Sequence, residues 1–131
     1  MYVLHKIPLF HRDIRWPNVM RQLEDPRKWF IIDWDDATGE STLAADPHQF
    51  NRETHAPSVF KDGHGAEVDV WGVGHLILSC EAVNISEELR KLGERMMMQG
   101  DSLESGDLEK MNAQIALNDI KGYQIKRSSA V

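Results

Sequence analysis

Between Thr42 and Gly65 the chain carries no usable periodicity. Pro47, Pro57, Gly63 and Gly65 interrupt it, and polar side chains, among them His48, His55 and His64, fill much of the rest. So long an irregular stretch divides the chain into two unlike parts, and in a compact domain such a loop is usually functional or mobile. Upstream lie short apolar pieces, Val3-Leu4 and Ile7 to Phe10, and then Trp29 to Asp33. The Trp-Phe-Ile-Ile run predicts a short buried strand, followed by a polar turn from Asp33 to Glu40. Downstream the pattern turns helical. Asp69 is placed to cap an apolar helix from Val70 to about Cys80. Ser86 is placed to cap a second, from Glu87 to Met97, with Leu89, Leu92 and Met96 on one face. A third helix is expected from Leu108 to Lys121, with Gly122 as its stop, after a turn-like acidic linker from Gln99 to Asp107. The expected fold class is α-rich α+β: one small β element, then a helical domain.

The length, 131 residues, suits one domain. The single cysteine, Cys80, excludes an internal disulfide, so the fold rests on packing, and a reducing compartment fits. Cys80 itself is expected as a small core residue. Fifteen basic against twenty-one acidic side chains leave a net charge of −6, which argues against a non-specific hold on nucleic acid. No apolar stretch is long enough to span a bilayer. Met1 to Phe10, interrupted by His5, Lys6 and Pro8, makes a poor secretory segment. An intracellular location, cytoplasm or nucleus, is the resulting expectation. His48, His55 and His64 lack the spacing of metal ligands and are expected on the surface.

Three short motifs occur in a telling order. His11-Arg12-Asp13-Ile14-Arg15-Trp16-Pro17-Asn18 sets an aspartate five positions before an asparagine; Ile31-Ile32-Asp33-Trp34-Asp35 ends a strand in an acidic turn; and Asp69-Val70-Trp71-Gly72-Val73-Gly74 opens the central helix. A partial fourth, Ala56-Pro57-Ser58, lies between the second and third. Together they resemble the C-terminal lobe of the protein-kinase-like superfamily, and diverged fungal and crinkler-effector domains more than signalling kinases. The resemblance covers about residues 4–123 of a single 1–131 unit, with 124–131 a tail.

That resemblance implies a kinase C-lobe-like domain with the N-lobe absent. Asp13 would accept or orient the proton of an attacking hydroxyl, and Arg15 would stand where many such enzymes place a lysine near the transferred phosphate. Asn18 and Asp33 would be magnesium ligands. His11, Arg12 and Asp69 would support the catalytic loop, with Arg12 a candidate to meet a phosphorylated Thr54, Ser41 or Thr42. Asp35 replaces the glycine of the metal-binding turn, which puts the switching of that segment in doubt. Ser58 replaces a glutamate whose arginine partner would correspond to Lys110, so both halves of that buried pair have changed. No Gly-rich loop or phosphate-pairing lysine strand precedes His11. Weak magnesium and ATP affinity and a binding or scaffolding role are therefore expected. The alternative is a kinase whose N-lobe comes from a longer parent chain, a dimer mate or a partner. Surface left bare by the missing lobe would be apolar, so a homodimer or a protein partner is expected to cover it. Two rivals are weaker. Phe30 to Thr38 faintly resembles a haloacid-dehalogenase nucleophile strand but lacks the later lysine and acidic pair. A calcium loop through Asp33, Asp35 and Glu40 lacks the required glycine and terminal glutamate.

Overall fold

The computed structural model describes residues 9–39, 42–81 and 84–101. These form a small mixed α+β arrangement. A 3-10 turn at Trp16–Asn18 leads into strands β1 (Val19–Arg21) and β2 (Trp29–Ile31); a second 3-10 turn at Pro57–Phe60 precedes helices α1 (Glu67–Leu78) and α2 (Glu87–Asp101). The strands pair antiparallel, with Val19 opposite Ile31 and Arg21 opposite Trp29. An isolated bridge joins Phe10 to Thr38, closing the path from the His-Arg-Asp segment to the end of the acidic turn.

The strand expected through Ile32 stops at Ile31 and is not buried: Trp29 and Phe30 are 56% and 50% exposed. Among the described residues no second layer covers this two-stranded ribbon. The Arg21 guanidinium lies 5.6 Å from the Trp29 ring centroid and gives the indole part of its cover.

Helix α1 starts earlier than the apolar pattern suggests, and Asp69 is not its cap. Ala66 takes that position without a side-chain bond, and Asp69 falls within the first helical turn. Its carboxylate is engaged elsewhere, as described below. Every residue from Glu67 to Gly72 is buried, as befits a helix surrounded on all sides. One of its faces packs with Ala45, Phe50, Ala56 and Val59 around Val68 and Trp71. The other places Val70 against Leu92 and Met96 of α2, flanked by Val73, Ile77 and Leu89. Helix α2 begins as expected, with the Leu89 amide donating to the Ser86 hydroxyl at 3.2 Å. It runs on to Asp101, into residues expected to form a linker. Cys80 lies just past the end of α1 and is only half-buried, not a core residue.

Two close approaches set the position of α1. A Cβ at Gly74 would fall 2.7 Å from the Gly93 carbonyl oxygen, so the helices meet backbone to backbone there. A Cβ at Gly72 would fall 2.8 Å from Ile14 Cβ and 2.9 Å from its carbonyl oxygen. The His-Arg-Asp segment can therefore lie directly on the helix only because residue 72 has no side chain. The helix expected from Leu108 to Lys121, with Lys110, and the pieces before Leu9 lie outside the described residues.

Candidate functional site

The segment His11–Asp13 is fixed from below by Asp69. Its carboxylate, 1% exposed, accepts the His11 amide at 2.8 Å on one oxygen and the Arg12 amide at 2.8 Å on the other. That grip holds Arg12 at φ 73°, a left-handed conformation that costs a non-glycine residue about 1–3 kcal/mol. The Arg12 side chain anchors the same turn. Nε donates to His64 Nε2 at 3.0 Å, and the two terminal nitrogens donate to the carbonyls of Asp36 and Leu43. Arg12 thus ties the His-Arg-Asp segment to the loops at Asp36, Leu43 and His64.

His11 ties the first motif to the second. Its Nδ1 accepts the Asp13 amide at 3.1 Å, so Nε2 carries the proton and donates to the Ile32 carbonyl at 2.9 Å. Its ring also meets Trp34 edge-on at 4.5 Å. Ile32 is held from its other side as well, donating its amide to the Asn18 carbonyl at 2.9 Å. Asp33 follows directly, exposed and at φ 61°. Aspartate tolerates that region better than most residues, and Asp35 is not among the residues with positive φ. In this conformation the turn therefore does not need a glycine at position 35.

Asp13 is enclosed. Oδ1 accepts Arg15 Nε at 2.8 Å and His55 Nε2 at 2.6 Å, and Oδ2 accepts Asn18 Nδ2 at 2.9 Å. Asn18 Nδ2 also reaches the Asp13 carbonyl at 2.8 Å. Burial alone pushes the Asp13 carboxyl up. The His55 hydrogen bond, the charges of Arg15 and His55 and the Asn18 bond outweigh it and leave the group below its ordinary value. Sequence reasoning brought Asp13, Arg15 and Asn18 together, and the structure does too. It missed His55, which was expected on the surface and is buried. The only hint was its place immediately before Ala56-Pro57, at the end of the irregular stretch.

His64 was likewise expected on the surface and is buried; His48 is exposed as expected. His64 Nδ1 donates to the Lys61 carbonyl at 2.7 Å, leaving Nε2 to accept from Arg12. A second proton would face the guanidinium. Burial, and then the Arg12 charge, hold its pKa below the ordinary value against the Lys61 carbonyl and the carboxylates of Glu67 and Asp69. His75, stacked on Trp71 at 5.3 Å, is lowered by burial and next by the charge of His55.

Oxygen donors suit a hard cation such as magnesium. Asn18 spends its amide nitrogen on Asp13, which leaves its amide oxygen as a donor, and the Asp33 carboxylate is exposed. Chemically, both fit. Among the described residues no group of three histidine, cysteine, aspartate or glutamate side chains is arranged to hold an ion, and no helix is long and apolar enough to cross a membrane.

This chain is similar to Crinkler effector protein 8 of Phytophthora infestans, 37% identical over 79 residues that make up 59% of this chain and 13% of that protein. The chain thus spans a small part of the relative's length. No family model matches, and no solved structure matches.

Replacing Asp69 with alanine would leave two buried amides without acceptors and release the strained Arg12. It is expected to cost about 2–5 kcal/mol, read as a lowered urea midpoint. Stability should also fall in mild acid. His64 and His75 have folded pKa values below their ordinary 6.5, so the unfolded chain takes up those protons first. Their contribution is complete above about pH 6.5 and declines as the pH drops toward the folded values. Asp13, depressed below 3.8, loses its own contribution only at still lower pH. Urea midpoints at pH 7.5 and 5.5 should differ, and His64→Gln should reduce the difference.

Proposed function

We propose that this chain carries the catalytic-loop region of a diverged kinase-like phosphotransferase of the C-lobe type. By itself it acts as a binding or scaffolding module, a pseudokinase-like remnant, and not as an autonomous enzyme. The observation that carries this reading is the enclosed Asp13, joined to Arg15 and Asn18 and held on Asp69 through the backbone of its own loop. Such an aspartate is built to take or orient a hydroxyl proton. Positioning of the nucleotide supplies most of the catalysis in phosphoryl transfer, and the side chains that meet the Asp13 carboxylate are Arg15, Asn18 and His55, none of them a nucleotide clamp. The similarity to Crinkler effector protein 8 supports an effector-like role for this chain.

A second reading is favoured by the oxygen donors. The Asn18 amide oxygen and the Asp33 carboxylate would hold magnesium, and the ion would neutralise charge on ATP phosphates. A parent chain, dimer mate or partner would then supply the nucleotide clamp and complete a Ser/Thr-type kinase. The two readings part in calorimetry with ATP, with and without magnesium. The module reading expects no heat of binding at millimolar ATP. Magnesium-dependent binding, abolished in Asp33→Ala, would instead favour the enzyme.

Exposed Trp16, Met20, Leu23, Trp29 and Phe30 lie on or beside the β1–β2 ribbon. An apolar face of this kind supports a partner or second copy covering it. Light scattering of the concentrated chain should give the mass of a dimer or larger; a monomer would argue against a second copy.

A further inference from the structure

His55 does more than fill space behind Asp13. The turn from Asn51 to His55 is locally determined: the Thr54 and His55 amides both donate to the Asn51 carbonyl, and the Glu53 amide donates to Asn51 Oδ1 at 2.7 Å. The imidazole stacks on Phe50 with centroids 4.4 Å apart. Its Nδ1 lies 2.9 Å from the Asn51 carbonyl, 3.1 Å from the Asn51 amide and 3.1 Å from the Thr54 hydroxyl. These contacts aim Nε2 at Asp13 Oδ1, 2.6 Å away. With Arg15 on the same oxygen and Asn18 on the other, Asp13 is left 5% exposed.

We propose that His55 is a built-in block: it occupies the face of Asp13 that an incoming hydroxyl would need, and Asp13 opens only when the Asn51–His55 turn moves away. The substrate role assigned to that face rests on the phosphotransferase-type reading above; the block itself is a matter of geometry. Of the three donors on Asp13, Arg15 and Asn18 belong to the same short segment as the aspartate. His55 alone arrives from the irregular stretch, 42 residues away. It is therefore the donor that a movement of that stretch would remove while leaving the catalytic loop intact. The block is independent of any nucleotide clamp, because it would persist with a clamp in place.

The test is carboxyl labelling of the whole chain with a water-soluble carbodiimide and glycine ethyl ester, read by mass spectrometry at Asp13, with exposed Asp35 as the internal standard. In the unsubstituted protein Asp13 should label at least about tenfold more slowly than Asp35, the factor that one charge-assisted hydrogen bond can supply. His55→Ala and His55→Asn, too short to reach, should raise the Asp13 rate by about that factor. His55→Gln, which still offers an amide N–H at similar reach, should stay protected, and a merely space-filling role would not produce that rescue. Equal labelling of Asp13 and Asp35 in the unsubstituted chain overturns the proposal whether or not the variants fold. So does continued protection of Asp13 in folded His55→Ala and His55→Asn. Hydrolysis of magnesium-ATP, measured in parallel with Asp13→Asn as the control, keeps the two ideas apart. Labelling as expected with no turnover in any variant upholds the block and agrees with a module inactive by itself, whereas turnover lost in Asp13→Asn would overturn that module reading and leave the block to be judged on the labelling alone.

Discussion

One buried carboxylate sets the geometry of everything around it. Asp69 leaves its own helix without a side-chain cap and gives both oxygens to the amides of His11 and Arg12. A buried charge is costly unless hydrogen-bonded, and these two amides, needing acceptors themselves, satisfy it. The exchange fixes the height and direction of the loop on α1. Gly72 makes the approach sterically feasible by offering Ile14 a bare backbone. Once His11 is placed, its ring reaches the Ile32 carbonyl and Trp34, so the position of Asp33 is inherited from Asp69 through one imidazole.

The consequence is a site assembled mainly from backbone constraints. Arg12 sits in a strained conformation that would relax if Asp69 were lost, and its guanidinium then joins three separate loops, at Asp36, Leu43 and His64. His64 can accept from Arg12 only while neutral. The loop is therefore coupled to a titrating group that lies far along the sequence but next to it in space. Mild acid strains this junction before it reaches Asp13, because the histidines gain protons in the unfolded chain at a higher pH than the carboxylate does.

What the sequence made legible was local. Helix α2 with its Ser86 cap, the apolar stripe of Leu89, Leu92 and Met96, and the short-range grouping of Asp13 with Arg15 and Asn18 follow from spacing over a few residues. What it hid was long-range. Nothing in a run of mixed polar residues reveals that His55 turns inward, since its burial depends on Phe50, Asn51 and a carboxylate far upstream. The strand at Trp29–Ile31 failed in the opposite sense: its composition signals a core, but a ribbon with one partner strand leaves such side chains exposed. Spacing alone marks Asp69 as a cap, since acidic residues favour helix starts, whereas the resemblance implies that it supports the loop of His11 to Asp13; in the fold its oxygens accept the His11 and Arg12 amides.

The chemistry of Asp13 follows from how its donors are distributed. Arg15 and Asn18 are supplied by the turn that follows the aspartate, and they keep it ionised without closing it completely, since a carboxylate accepts about four hydrogen bonds. His55 is different in origin and in effect. It adds the shortest contact, and it draws the irregular stretch down onto the site. An aspartate that retains its local partners but loses His55 would still be oriented by Asn18 and held by Asp69, yet would regain an acceptor position on Oδ1 beside Arg15. The same residues thus describe two states that differ in one contact, and the stretch between Thr42 and Gly65, the least regular part of the sequence, is where that difference resides.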